Sequence, residues 1–501
     1  MNSTKTFFGH PRGLATLFFT EMWERFSFYG MRALLLLFMI ASVEQGGLGI
    51  DEKTSGAIYG LYTMLVYLFS LPGGWLADKL FGLRRAVFYG GCLIAIGHFC
   101  LAISSTEMFF VGLLFIVIGT GLLKPNISSL VGQLYSADQQ AMRDAGFSIF
   151  YMGINIGATI APIITSYLGE TINWHYGFAA AGVGMVAGLI QYKLTDSTLG
   201  NIGLPPVATS VSEINSQQRI KSVLGIVIGL MVLLVGLAWK NVITFNPVVI
   251  ATFSIYAIGG CAVLYFSYVL IFEELSPAEK SRIKAIAMFF IASCIFYFGY
   301  EQQGSSLTLF ANRYTDRFIG SFEFPSGWFQ TIPAGGVIIF APLFAWLWVS
   351  LSRKKLDPSI PVKLAFGLIF TGLGYLIMMG ASYLVVQGAK PLPTWLIITY
   401  VLHTFGEICL YPIGLSAVSR LAPAKLTGQM MGIWFMSLAF GNLAGGLFSG
   451  NFDDGAIRQN PQLMISLFGQ VTAITIGAGL VVVLLTKLMK RLMDAKDSDK
   501  N

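Results

Sequence analysis

The residues best placed to do chemistry fall in an otherwise apolar stretch near the N-terminus, Glu21-Met-Trp-Glu24-Arg25-Phe-Ser-Phe-Tyr29-Gly30-Met-Arg32. Positions 21, 25, 29 and 32 recur at helical spacing and share one face, with Glu24 beside the stripe. Glu21 and Arg25 stand one turn apart and can pair, whereas Arg32, two turns beyond Arg25, calls for a counter-charge from another helix. Three more ionisable residues interrupt apolar runs: Lys124 before Pro125, Glu301 in Tyr300-Glu301-Gln302-Gln303-Gly304, and Glu407 in Phe405-Gly406-Glu407-Ile-Cys-Leu-Tyr411-Pro412. Carboxylates among guanidinium and ammonium groups can exchange protons, pair with one another, or hold both ends of a zwitterion. Arg32 and Lys124 lie in the first half of the chain and Glu301 and Glu407 in the second. Salt bridges between the halves can therefore close one side of a cavity. The plainer alternative is that these charges are structural ion pairs, or lie near an interface and snorkel to water.

Composition says what must position them. Of 501 residues, 55% are hydrophobic and only 11% charged, with a mean hydropathy of +0.70. A soluble chain carries about 25% charged residues. Disorder and a soluble enzyme are both excluded, and an all-α polytopic membrane protein remains. An ionisable side chain at mid-bilayer costs about 2.5–3.5 kcal/mol or more, so a polar stripe there must line water or other polar groups. The net charge of +7 fits basic cytoplasmic loops and no nucleic-acid partner. The five cysteines lie in apolar runs without a CxxC pair, and read as packing residues. The short polar residues 1–12 are not read as a cleaved leader.

Apolar runs bounded by charges, Gly and Pro predict spans near 14–42, 54–77, 84–105, 108–130, 143–168 and 174–193. A polar linker, 194–218, follows, then spans near 221–239 and 247–272. The last six are 285–311, 327–350, 361–387, 394–420, 428–450 and 462–490. The arrangement is two six-helix bundles with two extra helices between them, and divides into 1–193, 194–284 and 285–501. With the N-terminus inside, cytoplasmic segments hold 23 of the 32 Lys and Arg and the outer loops six, which predicts that both termini are cytoplasmic. Between spans two and three, Gly74-Trp-Leu-Ala-Asp78-Lys-Leu-Phe-Gly82-Leu-Arg84-Arg85 resembles the G-x3-D-x3-G-x-R-[KR] signature of major facilitators. Its glycines permit a tight turn, and Asp78 can cap or pair with the arginines.

Longer motifs narrow the resemblance. Glu21-x-x-Glu24-Arg25-Phe-x-x-Tyr29-Gly30 is similar to the E-x-x-E-R-F-x-[YF]-Y-G motif of the proton-dependent oligopeptide transporters. Residues 144–158, Glu301-Gln-Gln-Gly-Ser-Ser and Gly428-Gln-Met-Met-Gly432-Ile-Trp434-Phe resemble that family's fifth, seventh and eleventh spans. The resemblance runs over about residues 10–450. It implies a proton-coupled symporter of di- and tripeptides in a bacterial cytoplasmic membrane, a monomer with no cofactor or metal. It implies that Arg25 and Lys124 bind the peptide carboxylate, with Glu21 and Glu24 in the coupled proton site. Asn155 would bond the peptide backbone, and Glu407 would take the amino group or, when empty, pair with Lys124. Arg32 and Glu301 would pair at the outer gate. Tyr29, Tyr67, Tyr297 and Tyr411 would line the pocket, and Trp434 would shape a side-chain subpocket.

Departures touch peptide length and side-chain preference and leave the charge framework intact. Ile332-Pro333-Ala334 in span eight is nearer the pattern of plant relatives than the Asn-Pro of many bacterial members. Tyr297 stands in place of a frequent Trp, Tyr411 in place of a frequent Ser, and Phe28 lacks a hydroxyl. The same fold carrying nitrate or hormone-like cargo is the main alternative. An intramembrane enzyme needs a nucleophile–base pair at depth, which the chain does not offer. His403 and Glu407 are four apart, a spacing that suits a metal, but no third ligand stands near them; His98 reads as a satisfied core group. Gly153-x3-Gly157 and Gly441-x3-Gly445 read as sites of close helix packing.

Overall fold

A computed structural model describes residues 6–136, 138–206, 210–240 and 242–495. Residues 1–5 of the polar N-terminal stretch and residues 496–501 lie outside them. The chain is helical throughout: α1 Gly13–Ile40, α2 Glu52–Leu68, α3 Ser70–Leu76, α4 Leu83–Leu101, α5 Thr106–Gln133, α6 Gln140–Ser166, α7 Trp174–Thr195, α8 Val211–Trp239 and α9 Pro247–Phe272. There follow α10 Pro277–Tyr300, α11 Ser306–Arg313, α12 Thr331–Arg353, α13 Ile360–Val386, α14 Thr394–Leu421, α15 Thr427–Ser449, α16 Asp454–Gln459, α17 Gln462–Leu484 and α18 Thr486–Met493. The one β-ladder among the described residues pairs Phe318 with Glu323 and Ile319 with Phe322.

Twelve helical segments in the described residues are long and apolar enough to cross a membrane. The two other expected spans are α1, whose 28 residues carry Glu21, Glu24, Arg25 and Arg32, and the 19-residue α4, which opens on Arg84 and Arg85. Their charges, not their lengths, set them apart. The fold is that of an all-α polytopic membrane protein.

Spans expected to run long are interrupted or extended. The second divides at Phe69 and ends in a π-helical turn, Ala77–Phe81. The seventh divides at a 3-10 turn, Glu301–Gly304. Carbonyls near that second break find partners: Tyr375 donates to Gly299 O at 2.6 Å and Tyr400 to Gln303 O at 3.1 Å. Irregular backbone survives at membrane depth only when satisfied in this way. The last span ends at Leu484, and α18 is a separate polar-faced helix. Part of the expected polar linker is helix, because Ser210 and Glu213 form a capping box that starts α8 at Val211.

The chain separates into two compact units. The first comprises Met1–Phe38, Glu44–Leu48 and Leu65–Asn246; the second comprises Met39–Val43, Gly49–Met64 and Pro247–Asn501. In the first unit α1, α4, α5, α6 and α7 bury a core that includes Leu17, Val87, Ile94, Ile127, Phe150 and Met185. Here α4 and α5 approach backbone to backbone: a Cβ on Gly90 would stand 2.6 Å from Gly119 O, and one on Gly97 2.7 Å from Gly112 O. Gly153 and Gly157 pack on the Phe18 and Met22 turns of α1. Gly82 takes φ +75° at the tight turn before α4. The arginines there do not pair with Asp78: Arg84 donates instead to Gly200 O in the segment after α7.

In the second unit Gly441 and Gly445 of α15 pack on Tyr297 and Phe298 of α10. The first half of α2 packs on α15 through glycines, since a Cβ on Gly446 would stand 2.5 Å from Gly60 Cα and 2.7 Å from Gly56 O. Beside this seam Arg313 pairs with Glu52 at 2.7 Å. Of the two extra helices, α8 belongs to the first unit with none of its residues buried. The other, α9, belongs to the second, where Tyr265 donates to Gln429 at 2.7 Å.

Candidate functional site

In the first unit, α1 continues as a regular helix through its charged stretch. Glu21, Glu24 and Arg25 are 3%, 0% and 4% exposed. The Nε–H of Arg25 donates to Glu21 Oε1 at 2.9 Å. Oε2 of Glu24 lies 2.6 Å from the same nitrogen without hydrogen-bond geometry, so that contact is Coulombic. Two carboxylates thus share one guanidinium. Nη2 of Arg25, both oxygens of Glu24 and Oε2 of Glu21 make no hydrogen bond among the described residues. Buried polar atoms left in this state are costly, by about 1–3 kcal/mol each and more when charged.

Lys124 comes from α5, where Pro125 removes one amide from the helical ladder. Its charge acts on Glu24, and its Nζ stands 4.1 Å from the centre of the Tyr67 ring. Tyr29 and Tyr67 stand near the Arg25 guanidinium. Arg32 Cζ lies 5.8 Å from the centre of the Tyr29 ring. The structure therefore brings Glu21, Glu24, Arg25, Tyr29, Tyr67 and Lys124 into one cluster. Tyr29, Tyr67 and Lys124 are half-buried, while the acids and Arg25 lie deeper. Asn155 is buried on α6, with its amide nitrogen donating to Tyr151 O of its own helix at 2.9 Å.

In the second unit, Glu407 lies one turn before Pro412 in α14 and accepts from the Tyr300 hydroxyl at 2.5 Å. Tyr300 ends α10, and the buried Glu301 opens the 3-10 turn after it. Tyr297 is buried against Phe296 and Tyr300. Trp434 is buried against Gly414, and its indole N–H has no acceptor among the described residues. Tyr411 is half-buried on α14. Pro333 sits in the first turn of α12, where a missing amide breaks no helical hydrogen bond. The span-eight departure is therefore free of a backbone penalty. His403 is a core residue beside Gln303 and Tyr375. His98 is fully buried as expected, but neither ring nitrogen has a partner among the described residues, so it is not satisfied.

Sequence reasoning gave no role to Tyr300 or to the pair Glu52–Arg313. Tyr300 stands beside Glu301 in a polar run, a signal that was available. Glu52 and Arg313 read as loop charges, and nothing in their spacing relates them.

A multi-helix membrane protein with buried charge clusters at span depth has the makings of a solute transporter. The model of the family described as PTR2, the POT family, matches residues 84–465. The chain is 39% identical to peptide transporter YePEPT of Yersinia enterocolitica, over 98% of this chain and 96% of that one. It is 34% identical to a di-/tripeptide transporter of Lactococcus lactis subsp. cremoris, over 87% and 89%. A crystal structure of a peptide transporter POT in complex with sulfate superposes with a TM-score of 0.88, at 39% identity and 98% coverage of both chains. The chain belongs to the POT family. It is a multi-pass membrane protein of the transporter class, not an enzyme, and bacterial relatives place it in an inner membrane.

Proposed function

We propose that the protein is a proton-coupled symporter that imports di- and tripeptides by alternating access. The observation that carries this reading is the buried Glu21–Arg25–Glu24 cluster with Lys124 in electrostatic reach, in a chain whose relatives are peptide transporters. A peptide backbone offers a carboxylate and an ammonium whatever its side chains. Reading the two ends and leaving the side-chain space loose gives breadth. In this assignment Arg25 and Lys124 take the carboxylate, Glu407 the ammonium, and Asn155 a backbone group. Tyr29, Tyr67, Tyr297 and Tyr411 line the pocket, and Trp434 shapes a side-chain subpocket. Arg32 with Glu301, and Lys124 with Glu407, serve as gating pairs.

Coupling follows from the sharing of one guanidinium by two acids. When a peptide carboxylate claims Arg25, Glu24 or Glu21 loses counter-charge, and a proton takes its place. Substrate and proton then favour each other reciprocally. One charge moving inward gains about 2.3 kcal/mol per 100 mV, enough for roughly fiftyfold accumulation. The excess of basic residues in alternate loops supports cytoplasmic termini. Every group in this scheme comes from one chain, so the monomer is the transport unit.

The test is uptake of labelled dialanine into proteoliposomes with and without an inward proton gradient. Gradient-dependent accumulation is expected. Folded protein that takes up no di- or tripeptide would overturn the peptide assignment and turn attention to other anionic or zwitterionic solutes.

A further inference from the structure

A groove of about 410 Å³ runs along one flank of the first unit, away from the charged cluster of α1. Phe81 of the π-helical turn and Arg85 of α4 form one wall; Lys221, Leu224, Gly225 and Ile228 of α8 form the other. The chemistry of α8 changes at Lys221. Residues 211–221 include Ser, Glu, Asn, Gln, Arg and Lys, whereas 222–239 are almost wholly apolar. That switch sets Lys221 at the level where hydrocarbon meets headgroups. With no residue of α8 buried, the apolar side of the groove opens to lipid. A Cβ at Gly225 would have nothing within 4 Å, so there is room along this floor.

Arg85 and Lys221 are exposed and make no ion pair with any described residue; Asp78, the acid nearest Arg85 in sequence, is exposed and pairs with neither. Two cations above an apolar floor match one kind of occupant. A phosphodiester can pair with both cations, and an acyl chain can lie along Phe81, Leu224 and Ile228. A zwitterionic lipid would bring its own ammonium against the same two cations. A free phosphate would leave the floor uncovered. We propose that this groove binds an anionic phospholipid, through its phosphate to Arg85 and Lys221 and through one chain to the α8 face. The site is separate from the transport site and does not depend on which solute is carried.

The experiment uses the full chain, purified, delipidated and titrated with phosphatidylglycerol, phosphatidylcholine or glycerol phosphate, with bound lipid read by native mass spectrometry. Three variants are compared after matching their melting curves: Arg85→Gln/Lys221→Gln, Gly225→Trp, and Arg353→Gln/Lys354→Gln as exposed basic controls elsewhere. Phosphatidylglycerol is expected to bind in preference to phosphatidylcholine. Its affinity should fall about fivefold for each cation removed from the groove. It should also fall in Gly225→Trp, where the charges are kept, and stay unchanged in the control pair. Equal affinity in all variants, or equal binding of phosphatidylcholine, would overturn the proposal. So would loss in the Gln pair without loss in Gly225→Trp, or full competition by glycerol phosphate, since either would mark a bare anion site.

Discussion

Tyr300 at the end of α10 donates its hydroxyl to Glu407 in the middle of α14, across 2.5 Å. The bond fixes one carboxylate oxygen of Glu407. Hydrogen bonds to a charged group contribute about 1.5–3 kcal/mol when buried, and Glu407 is only half-buried, so the low end applies. Tyr300→Phe should raise the KM for dialanine by roughly tenfold with little change in kcat. An unchanged KM in uptake assays would show that this bond does not position Glu407 for substrate.

Glu24→Gln keeps the shape of the buried acid and removes its charge. Gradient-driven accumulation should fall to background while counterflow exchange persists, because exchange needs binding and not proton release. Loss of both activities in folded protein would mean that Glu24 holds substrate or structure, not the coupled proton.

Removing the shared cation is a different matter. Arg25→Gln leaves Glu21 and Glu24 buried together without their counter-charge. Breaking a buried ion cluster costs about 3–5 kcal/mol. The variant should melt well below the wild type in detergent, and adding Glu24→Gln should restore part of that loss. A double variant no more stable than Arg25→Gln alone would show the two charges to be energetically independent.

The ring of Tyr67 under Lys124 gives a fourth test. A cation–π contact contributes about 0.5–2 kcal/mol, so Tyr67→Leu should raise KM roughly twofold to thirtyfold. Tyr67→Phe keeps the ring face and should stay near wild type. Equal losses in both would assign the effect to the hydroxyl.

At the glycine seam, Gly446→Val at a buried position should be damaging. The new side chain meets the backbone of Gly60 and Gly56, and backbone cannot turn aside. Overpacking of this kind costs about 1–3 kcal/mol. The checks are the melting midpoint and initial uptake rate, and a variant matching wild type in both would place the seam outside the working cycle.

Most of the helical order was legible in the sequence, since runs of about 20 apolar residues have few other readings. The pair Glu21–Arg25 was legible too, because both partners lie one turn apart on one helix. The interruption at Glu301–Gly304 was not: it carries no proline, and the Gly299 and Gln303 carbonyls there are held by Tyr375 and Tyr400 from distant segments. The break at Phe69 does have a local signal in Pro72, which has no amide to offer the Leu68 carbonyl four residues before it. The start of α8 was hidden because Ser212, Glu213, Gln217 and Arg219 are polar. Polarity there reflects position outside the hydrocarbon, not lack of helix. Tyr300–Glu407 and Glu52–Arg313 join residues more than a hundred positions apart, and no local period encodes such pairs.

The contact of Gly56 and Gly60 with Gly446 has a thermodynamic corollary. Two faces of leucine would have to freeze their rotamers on meeting, at about 0.5–1 kcal/mol per side chain, and would recover that freedom on parting. Glycines have no rotamers to lose or regain. The seam can therefore open and close with almost no change in side-chain entropy, and its strength depends on backbone fit alone.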